Sequence, residues 1–214
     1  GNISGPLFGR HVERMIDDTG IEPLLKAWII LDNHDTPRLT NELPQPWQQR
    51  MAQVLQFTLP GSPCIYYGVE LGMTGGHDPE QRGPMRWDLA NEENETLRWT
   101  RSLIDARNSS PALRHGDFRL LDTEGGLAFL RHTNRAADTR IVLATPSEQA
   151  MREVLIVRES KMMSGTRMQC MLDDDRSFQV YSGTMHVTLP PQSFAVLQPV
   201  IEETVEYNFF KRVW

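Results

Sequence analysis

The amino-acid sequence predicts an α/β part followed by an all-β part within the 214-residue chain. In the first part, short apolar segments alternate with segments whose apolar residues recur at helical spacing, which is typical of parallel strands connected by helices. In the second part, short apolar segments are separated by turn residues, which favours a small antiparallel β-sandwich. We therefore expect an α/β part over residues 1–118, a β-sandwich over 119–199 and a tail over 200–214.

The composition is that of an ordinary globular protein, with 39% hydrophobic and 23% charged residues. Disordered and collagen-like classes are therefore excluded. The net charge of −6 at pH 7 disfavours a nucleic-acid partner, because an acidic protein repels the phosphate backbone. No uninterrupted apolar stretch reaches the length of about 18 residues that a membrane span needs, so we expect no membrane association.

The two cysteines, Cys64 and Cys170, lie far apart in the sequence. Nothing indicates a disulfide between them, and lone thiols in apolar surroundings are more often free and buried. Free thiols favour a reducing compartment, so we expect a cytoplasmic protein. The chain begins without Met and without the features of a signal peptide, which indicates a fragment or a processed product.

The elements of the α/β part follow from periodicity and from turn residues. We expect a strand buried on both faces over residues 27–31 and a second strand over 63–67. The predicted helices span residues 7–18, 45–58 and 92–107. Residues 69–91 are rich in Gly and Pro and are predicted to form a long loop, and loops of this length are usually functional or disordered.

The β-rich part is predicted to contain six short strands, over residues 126–131, 140–144, 154–157, 178–181, 186–189 and 194–197. The tail carries four aromatic residues that are costly to leave in water, so we expect it to pack on another surface: Tyr207, Phe209, Phe210 and Trp214.

A polar cluster directly follows the first predicted strand. Asp32-Asn33-His34-Asp35 brings two carboxylates, an amide and an imidazole to the strand end, and Arg38 follows. Apolar strands that end in convergent polar groups often build a ligand site. A solvated turn closed by Pro37 explains this segment equally well when it is considered alone.

A second group of polar and aromatic residues follows the next predicted strand. Tyr66 and Tyr67 can stack on sugar faces. In the glycine-rich loop beyond them, Asp78 and Arg82 lie four residues apart and can bind hydroxyls or carboxylates. Each feature also has a structural explanation, because an Asp-Pro pair is usually a turn and a Tyr pair is usually part of a core.

Together and in this order, these motifs resemble the α-amylase family of glycoside hydrolases (family thirteen). The similarity rests on Asn33-His34-Asp35 and on the segments 57–68, 70–73 and 78–88. The cyclomaltodextrinase, neopullulanase and maltogenic-amylase branch is the most similar. The resemblance implies that the α/β part is the C-terminal portion of a (β/α)8 TIM barrel, containing about strands seven and eight.

The resemblance also implies roles for particular residues. The family hydrolyses α-glucosidic bonds with retention, using a nucleophile, a general acid and a third carboxylate that stabilises the transition state. Asp35 matches the third carboxylate and is the candidate catalytic residue. The substrate-binding candidates, for an α-glucan oligosaccharide, are His34, Asp78, Arg82 and Arg38, of which Arg38 is expected to brace the site rather than touch the bond. Tyr67 and Glu70 are expected to support the loop.

The family's nucleophile and general acid lie on the fourth and fifth barrel strands, well before the motif that contains Asp35. Only 34 residues precede Asp35 here, and the acidic residues on or next to the predicted first helix lack the flanking motifs that those roles need: Glu13, Asp17, Asp18 and Glu22. We therefore expect the isolated chain to be inactive. Because two strands cannot close a barrel, we expect it to associate with the missing N-terminal part or with a second copy.

A non-catalytic carbohydrate-binding or interaction module, with the β-rich part as its stable unit, is the alternative to an enzyme part.

Many relatives use calcium, but the acidic run Asp173-Asp174-Asp175 is expected to be a solvated turn. The sequence therefore predicts no metal site and no cofactor.

Overall fold

The computed structural model describes residues 3–157, 159–173 and 175–201. Helices and two short strands occupy the first half. In chain order these are α1 (Gly5–Thr19), α2 (Ile21–Lys26), β1 (Trp28–Ile30), α3 (Leu39–Glu42), α4 (Pro46–Thr58), β2 (Ser62–Cys64), α5 (Glu95–Asn108) and α6 (Pro111–His115). The predicted long loop contains three 3₁₀ turns, Val69–Leu71, Glu80–Arg82 and Trp87–Leu89.

The second half consists of antiparallel strands. They are β3 (Asp117–Leu121), β4 (Leu127–His132), β5 (Arg140–Thr145), β6 (Met151–Ile156), β7 (Arg167–Cys170), β8 (Ser177–Tyr181), β9 (Thr184–Leu189) and β10 (Ser193–Pro199). All six strands predicted in this part are present, and all pairings in its sheet are antiparallel.

Strands β1 and β2 pair in parallel, with Ile29 opposite Pro63, as the alternation of strands and helices predicts. The side-chain amide of Gln56 on α4 donates to the carbonyls of Ile29 and Cys64, at 2.9 and 3.0 Å, and so ties the helix to both strands. The expected burial of β1 on both faces is wrong. Trp28 is 72% and Ile30 45% exposed, because nothing among the described residues covers their face of the sheet.

The antiparallel strands form one sheet in the order β3-β4-β5-β10-β7-β8-β9-β6. Strand β8 pairs with β7 through its first residues and with β9 through its last, so the sheet curls round instead of dividing into two layers. Its two ends approach each other, and the Glu153 carboxylate on β6 accepts bonds from the amides of Glu124 and Gly125 beside β4. The predicted antiparallel β domain is present, but a sandwich describes it only loosely, because its strands form a single, nearly closed sheet.

Side chains alternate between two buried cores along the central strands. On β5, Ile141 and Leu143 face the interior of the curled sheet, whereas Val142 and Ala144 pack against the helices. The second core contains Val54 from α4 and apolar side chains from α5 and α6. The α/β part and the β-rich part thus share a core.

Helix α1 also contacts the β-rich part closely. A Cβ on Gly5 would lie 2.6 Å from the carbonyl carbon of Gly126, and one on Gly9 would overlap the Leu120 side chain. Glycine therefore allows α1 to lie against β3 and β4.

Several elements were absent from the sequence-based prediction. The helices α2, α3 and α6 are four to six residues long, too short to show a helical period. Strand β3 carries Asp and Arg, and β7 carries Arg and Gln, among their apolar residues, which hides the alternation. The tail aromatics lie outside the described residues.

Candidate functional site

The polar cluster lies at the carboxyl end of β1, next to the loop that follows β2. Because β1 and β2 are parallel, both chain segments leave the sheet at the same edge. In βα folds this edge carries the ligand site. The structure thereby brings Asp35, His34, Asp78 and Arg82 together, although more than 40 residues separate the two pairs.

Asp35 is exposed, and each of its carboxylate oxygens has a partner. Arg82 Nη2 lies 3.2 Å from Oδ1, and His34 Nε2 lies 3.3 Å from Oδ2. The backbone amide of Asp35 donates to the Asn33 side chain at 2.8 Å. The turn thus presents the carboxylate to solvent between a guanidinium and an imidazole.

Arg82 connects the two segments. Besides Asp35, its Nε donates to the His34 carbonyl at 2.9 Å and lies 3.7 Å from an Asp78 carboxylate oxygen. The guanidinium therefore contacts three of the predicted site positions from one place. The ion pairs are half-exposed, so solvent screens them and their contribution to stability is small.

The side-chain amide of Gln81 makes a second bond to the His34 carbonyl, at 3.0 Å. Gln81 is 1% exposed, and its Oε1 has no hydrogen-bond partner among the described residues. Gln81 was not among the predicted site residues, because a single glutamine carries no recognisable motif. Only the fold brings it to within reach of His34.

Arg38 is fully buried beneath the site. Its Nη1 donates to the Tyr67 carbonyl at 2.6 Å, and its guanidinium carbon lies 4.9 and 4.8 Å from the ring centres of Tyr66 and Tyr67. These contacts suit a brace, and they place the guanidinium away from solvent. Tyr67 in turn donates from its hydroxyl to the Gly83 carbonyl at 2.7 Å, within the loop.

Asp32, the other carboxylate of the cluster, points inward. Burial raises its pKa above the ordinary value, while the bond from the Leu39 amide at 2.8 Å and the nearby Arg38 charge oppose that rise. Asp32 therefore holds the start of α3, and the two carboxylates of one motif have different surroundings.

The described residues contain no group of three or more His, Cys, Asp or Glu side chains that could hold a metal ion. Asp173 pairs with Arg176 at 3.2 Å, and Asp174 lies outside the described residues. Both cysteines are free, with Cys170 buried and Cys64 half-buried. Within the described ranges, no helix is both long and apolar enough to cross a membrane.

An exposed carboxylate, imidazole and guanidinium thus lie at the carboxyl ends of two parallel strands, the edge at which βα barrels carry their ligand sites. The chain belongs to the α-amylase family. Its residues 9–116 match the family model described as "Alpha amylase, catalytic domain", and this confirms the resemblance on which the site was predicted.

Two curated relatives illustrate the similarity. The chain is 31% identical over 171 residues to a cyclomaltodextrinase of Geobacillus thermopakistaniensis, which covers 79% of this chain and 28% of the relative. It is 34% identical over 152 residues to a maltogenic α-amylase of Bacillus acidopullulyticus, which covers 71% of this chain and 24% of the relative. The chain thus spans about a quarter of the length of the curated relatives that it matches.

The fold is also similar to that of a solved structure, the debranching enzyme of Nostoc punctiforme in its native form. The TM-score is 0.77 at 23% identity, covering 92% of this chain and 40% of the other. The similarity extends beyond the family-model match into the β-rich part, so the two parts together are a known structural combination.

Proposed function

We propose that this chain forms the part of a retaining α-glucan hydrolase that supplies the transition-state-stabilising carboxylate, Asp35. The observation that carries the proposal is the placement of Asp35, exposed at the carboxyl end of β1 and held between His34 and Arg82. Membership of the α-amylase family and the names of the relatives, cyclomaltodextrinase and maltogenic α-amylase, support an α-glucan oligosaccharide as the substrate.

The side chains of the site have complementary roles in this proposal. Asp35 accepts hydrogen bonds from sugar hydroxyls, and its negative charge stabilises the positive charge that develops at the reacting carbon. His34 donates to the same sugar, and Asp78 and Arg82 hold the next sugar outward. Arg38 acts on the substrate indirectly, by bracing the loop through Tyr67.

The isolated chain is expected to be inactive. A carboxylate that only stabilises charge leaves most of the barrier in place when no nucleophile and no general acid are present. The nucleophile and the general acid would then come from barrel strands outside these 214 residues, and either those strands or a second copy of the chain would cover the exposed sheet edges. Free thiols and a relative named an intracellular maltogenic amylase in Bacillus subtilis support a cytoplasmic location.

A complementation experiment tests the proposal. The chain is mixed with the barrel segment that precedes the matched region in the cyclomaltodextrinase relative, and hydrolysis of maltooligosaccharides and cyclodextrins is measured. We expect activity only in the mixture, and we expect Asp35→Asn to lower its kcat about 10²–10³-fold. Asp122→Asn, an exposed carboxylate just after β3, is the matched control. Binding of the two parts without any hydrolysis would contradict the proposal.

The alternative, a carbohydrate-binding or interaction module based on the β-rich part, is opposed by the shared core. Val142, Ala144 and Val196 pack against helices of the α/β part, so removing residues 1–115 would expose them. Calorimetric titration of the truncated and complete chains with maltooligosaccharides distinguishes the two proposals. Equal affinity in both would favour the module.

A further inference from the structure

We propose that Gln81 is a positioning residue for Asp35, acting through the carbonyl of His34. This inference rests on the proposed function of Asp35 as the stabilising carboxylate. It concerns what holds the turn that carries Asp35, because an exposed turn that moves freely cannot present a carboxylate at a fixed place.

The turn has few contacts of its own. Within it, the Asn33 amide is bonded to the Thr36 hydroxyl at 3.0 Å and the Asp35 amide to the Asn33 side chain at 2.8 Å. Both bonds are exposed and local, so water can replace them. The fixed connection to the rest of the site is the His34 carbonyl, which accepts from Gln81 Nε2 at 3.0 Å and from Arg82 Nε at 2.9 Å.

The two donors differ in their surroundings. The Arg82 side chain is about half exposed and is shared between Asp35 and Asp78. Gln81 is buried, so its side chain has already lost its rotational freedom, and its bond to His34 is partly buried whereas the bond from Arg82 is exposed, so water competes less with the Gln81 bond. The anchoring bond is therefore the one from Gln81.

The backbone of Gln81 is held in place by Gly75. A Cβ on Gly75 would lie 2.9 Å from the Gln81 Cα and 2.7 Å from the Glu80 carbonyl oxygen, so the two backbones are in close contact. Gly75 is in turn bonded to the Arg38 amide through its carbonyl, at 2.9 Å, and to the Asn41 side chain through its amide, at 2.8 Å. A continuous set of contacts thus joins the segment around α3 to the His34 carbonyl.

The unpaired Oε1 of Gln81 makes this side chain poorly suited to a role in packing alone. A buried carbonyl oxygen without a partner costs free energy, so a methionine of similar length would fill the space at least as well. The amide orientation is set by the His34 carbonyl, which needs a donor. What glutamine adds at this position is the bond to His34.

Two variants with a matched control test the proposal. Gln81→Met removes the donor and the unpaired oxygen together and is expected to keep the fold. In the complemented enzyme we expect it to lower kcat about tenfold while KM changes less than threefold. Gln53→Met is the control. Gln53 lies on α4, outside the site, is similarly buried, and accepts a hydrogen bond from Trp99 at 3.0 Å.

Gln81→Glu gives a pH-dependent readout that a purely structural role would not produce. Its ionised carboxylate cannot donate to His34, whereas the protonated form can. Burial raises the pKa of a carboxyl group, so we expect kcat relative to wild type to recover on acidification, beginning above the ordinary carboxyl range. A parallel pH profile for Gln81→Glu and wild type would overturn the proposal.

A measurement on the 214-residue chain alone separates this inference from the proposed function. The carbonyl carbon resonance of His34 is expected to move in Gln81→Met and to stay in place in Gln53→Met. An unchanged resonance in Gln81→Met, or an unchanged kcat, would overturn the positioning role. A wild-type mixture without activity would overturn the proposed function, and the resonance would then decide whether Gln81 holds the turn.

Discussion

In this chain the parallel strand β1 is more exposed than the antiparallel strand β5, which is the opposite of the usual arrangement. Parallel strands are normally buried on both faces, whereas antiparallel sheets often leave one face in water. Here the parallel strand β1 has two exposed side chains, Trp28 and Ile30. In the antiparallel strand β5, Ile141, Val142 and Leu143 are all fully buried.

The reason lies in what each strand has for neighbours. Strand β5 is paired on both sides, by β4 and β10, and its faces are covered by the sheet interior and by the helices. Strand β1 pairs with β2 alone within the described residues. A strand's burial therefore depends on the layers that pack on it, and its own sequence states only that burial is favourable.

The largest expected effect comes from the interior of the curled sheet. Leu143→Ala should lower the free energy of unfolding by about 4 kcal/mol, since it leaves a cavity in a fully buried position. Ile30→Ala is the matched change on β1 and should cost under about 1 kcal/mol, because Ile30 is 45% exposed. Urea unfolding followed by circular dichroism measures both, and equal losses would remove the contrast between the two regions.

Arg131 links the two regions and should give the next largest effect. It is buried on β4 and donates to the carbonyls of Thr58, Gly116 and Asp117 at 2.6, 2.9 and 3.2 Å. Burial lowers its pKa to about 9.

We expect Arg131→Met to cost about 3 kcal/mol of unfolding free energy, because carbonyls at the end of α4 and at the start of β3 lose their donor. Arg135→Met, on an exposed side chain, is the control. The same urea titration measures both, and a neutral Arg131→Met would show that the shared apolar core joins the two regions without this residue.

Trp28 tests whether the exposed face of β1 promotes association. When two copies bury Trp28 in their contact, its removal lowers the free energy gained by apolar burial by about 1.4 kcal/mol or more. We expect Trp28→Ser to raise the concentration at which the chain self-associates about tenfold, measured by light scattering. Trp87→Ser removes an equally exposed Trp from the loop and serves as the control. A monomeric wild-type chain at all concentrations would contradict the expected association.

The smallest expected effect is a pH dependence in the β-rich part. Burial lowers the pKa of His132, although the Glu159 carboxylate 3.7 Å away opposes this. Below pH 6.5 the unfolded chain then binds more protons than the folded chain, so stability falls on acidification until the folded-state pKa is passed. His132→Gln should reduce the loss of Tm between pH 7 and 5, whereas His186→Gln, an exposed histidine on β9, should not. Identical slopes for wild type and His132→Gln would contradict this.

Much of the fold could be predicted from periodicity and turn residues. Helix α1, strands β1 and β2 and the central β-strands follow from apolar spacing, and the change from helices to strands was expected near residue 118. The domain boundaries themselves stay a prediction, because α1 and α4 pack directly on the sheet. The curl of the sheet was missed, since a strand such as β8 that changes partners looks in sequence like any other strand.

In the candidate site, too, some features could be predicted from the sequence and others only from the tertiary structure. The sequence by itself determined the family, and with it the roles predicted for Asp35, His34, Asp78 and Arg82, because these residues lie in two recognisable motifs. Only the tertiary structure decided that Arg82 reaches Asp35, that Arg38 is buried and that Gln81 holds the His34 carbonyl. Motifs record residue types along one segment, whereas the Arg82–Asp35 and Gln81–His34 contacts each join residues 47 positions apart and Arg38 reaches Tyr67 across 29 positions. These segments meet because β1 and β2 are parallel neighbours.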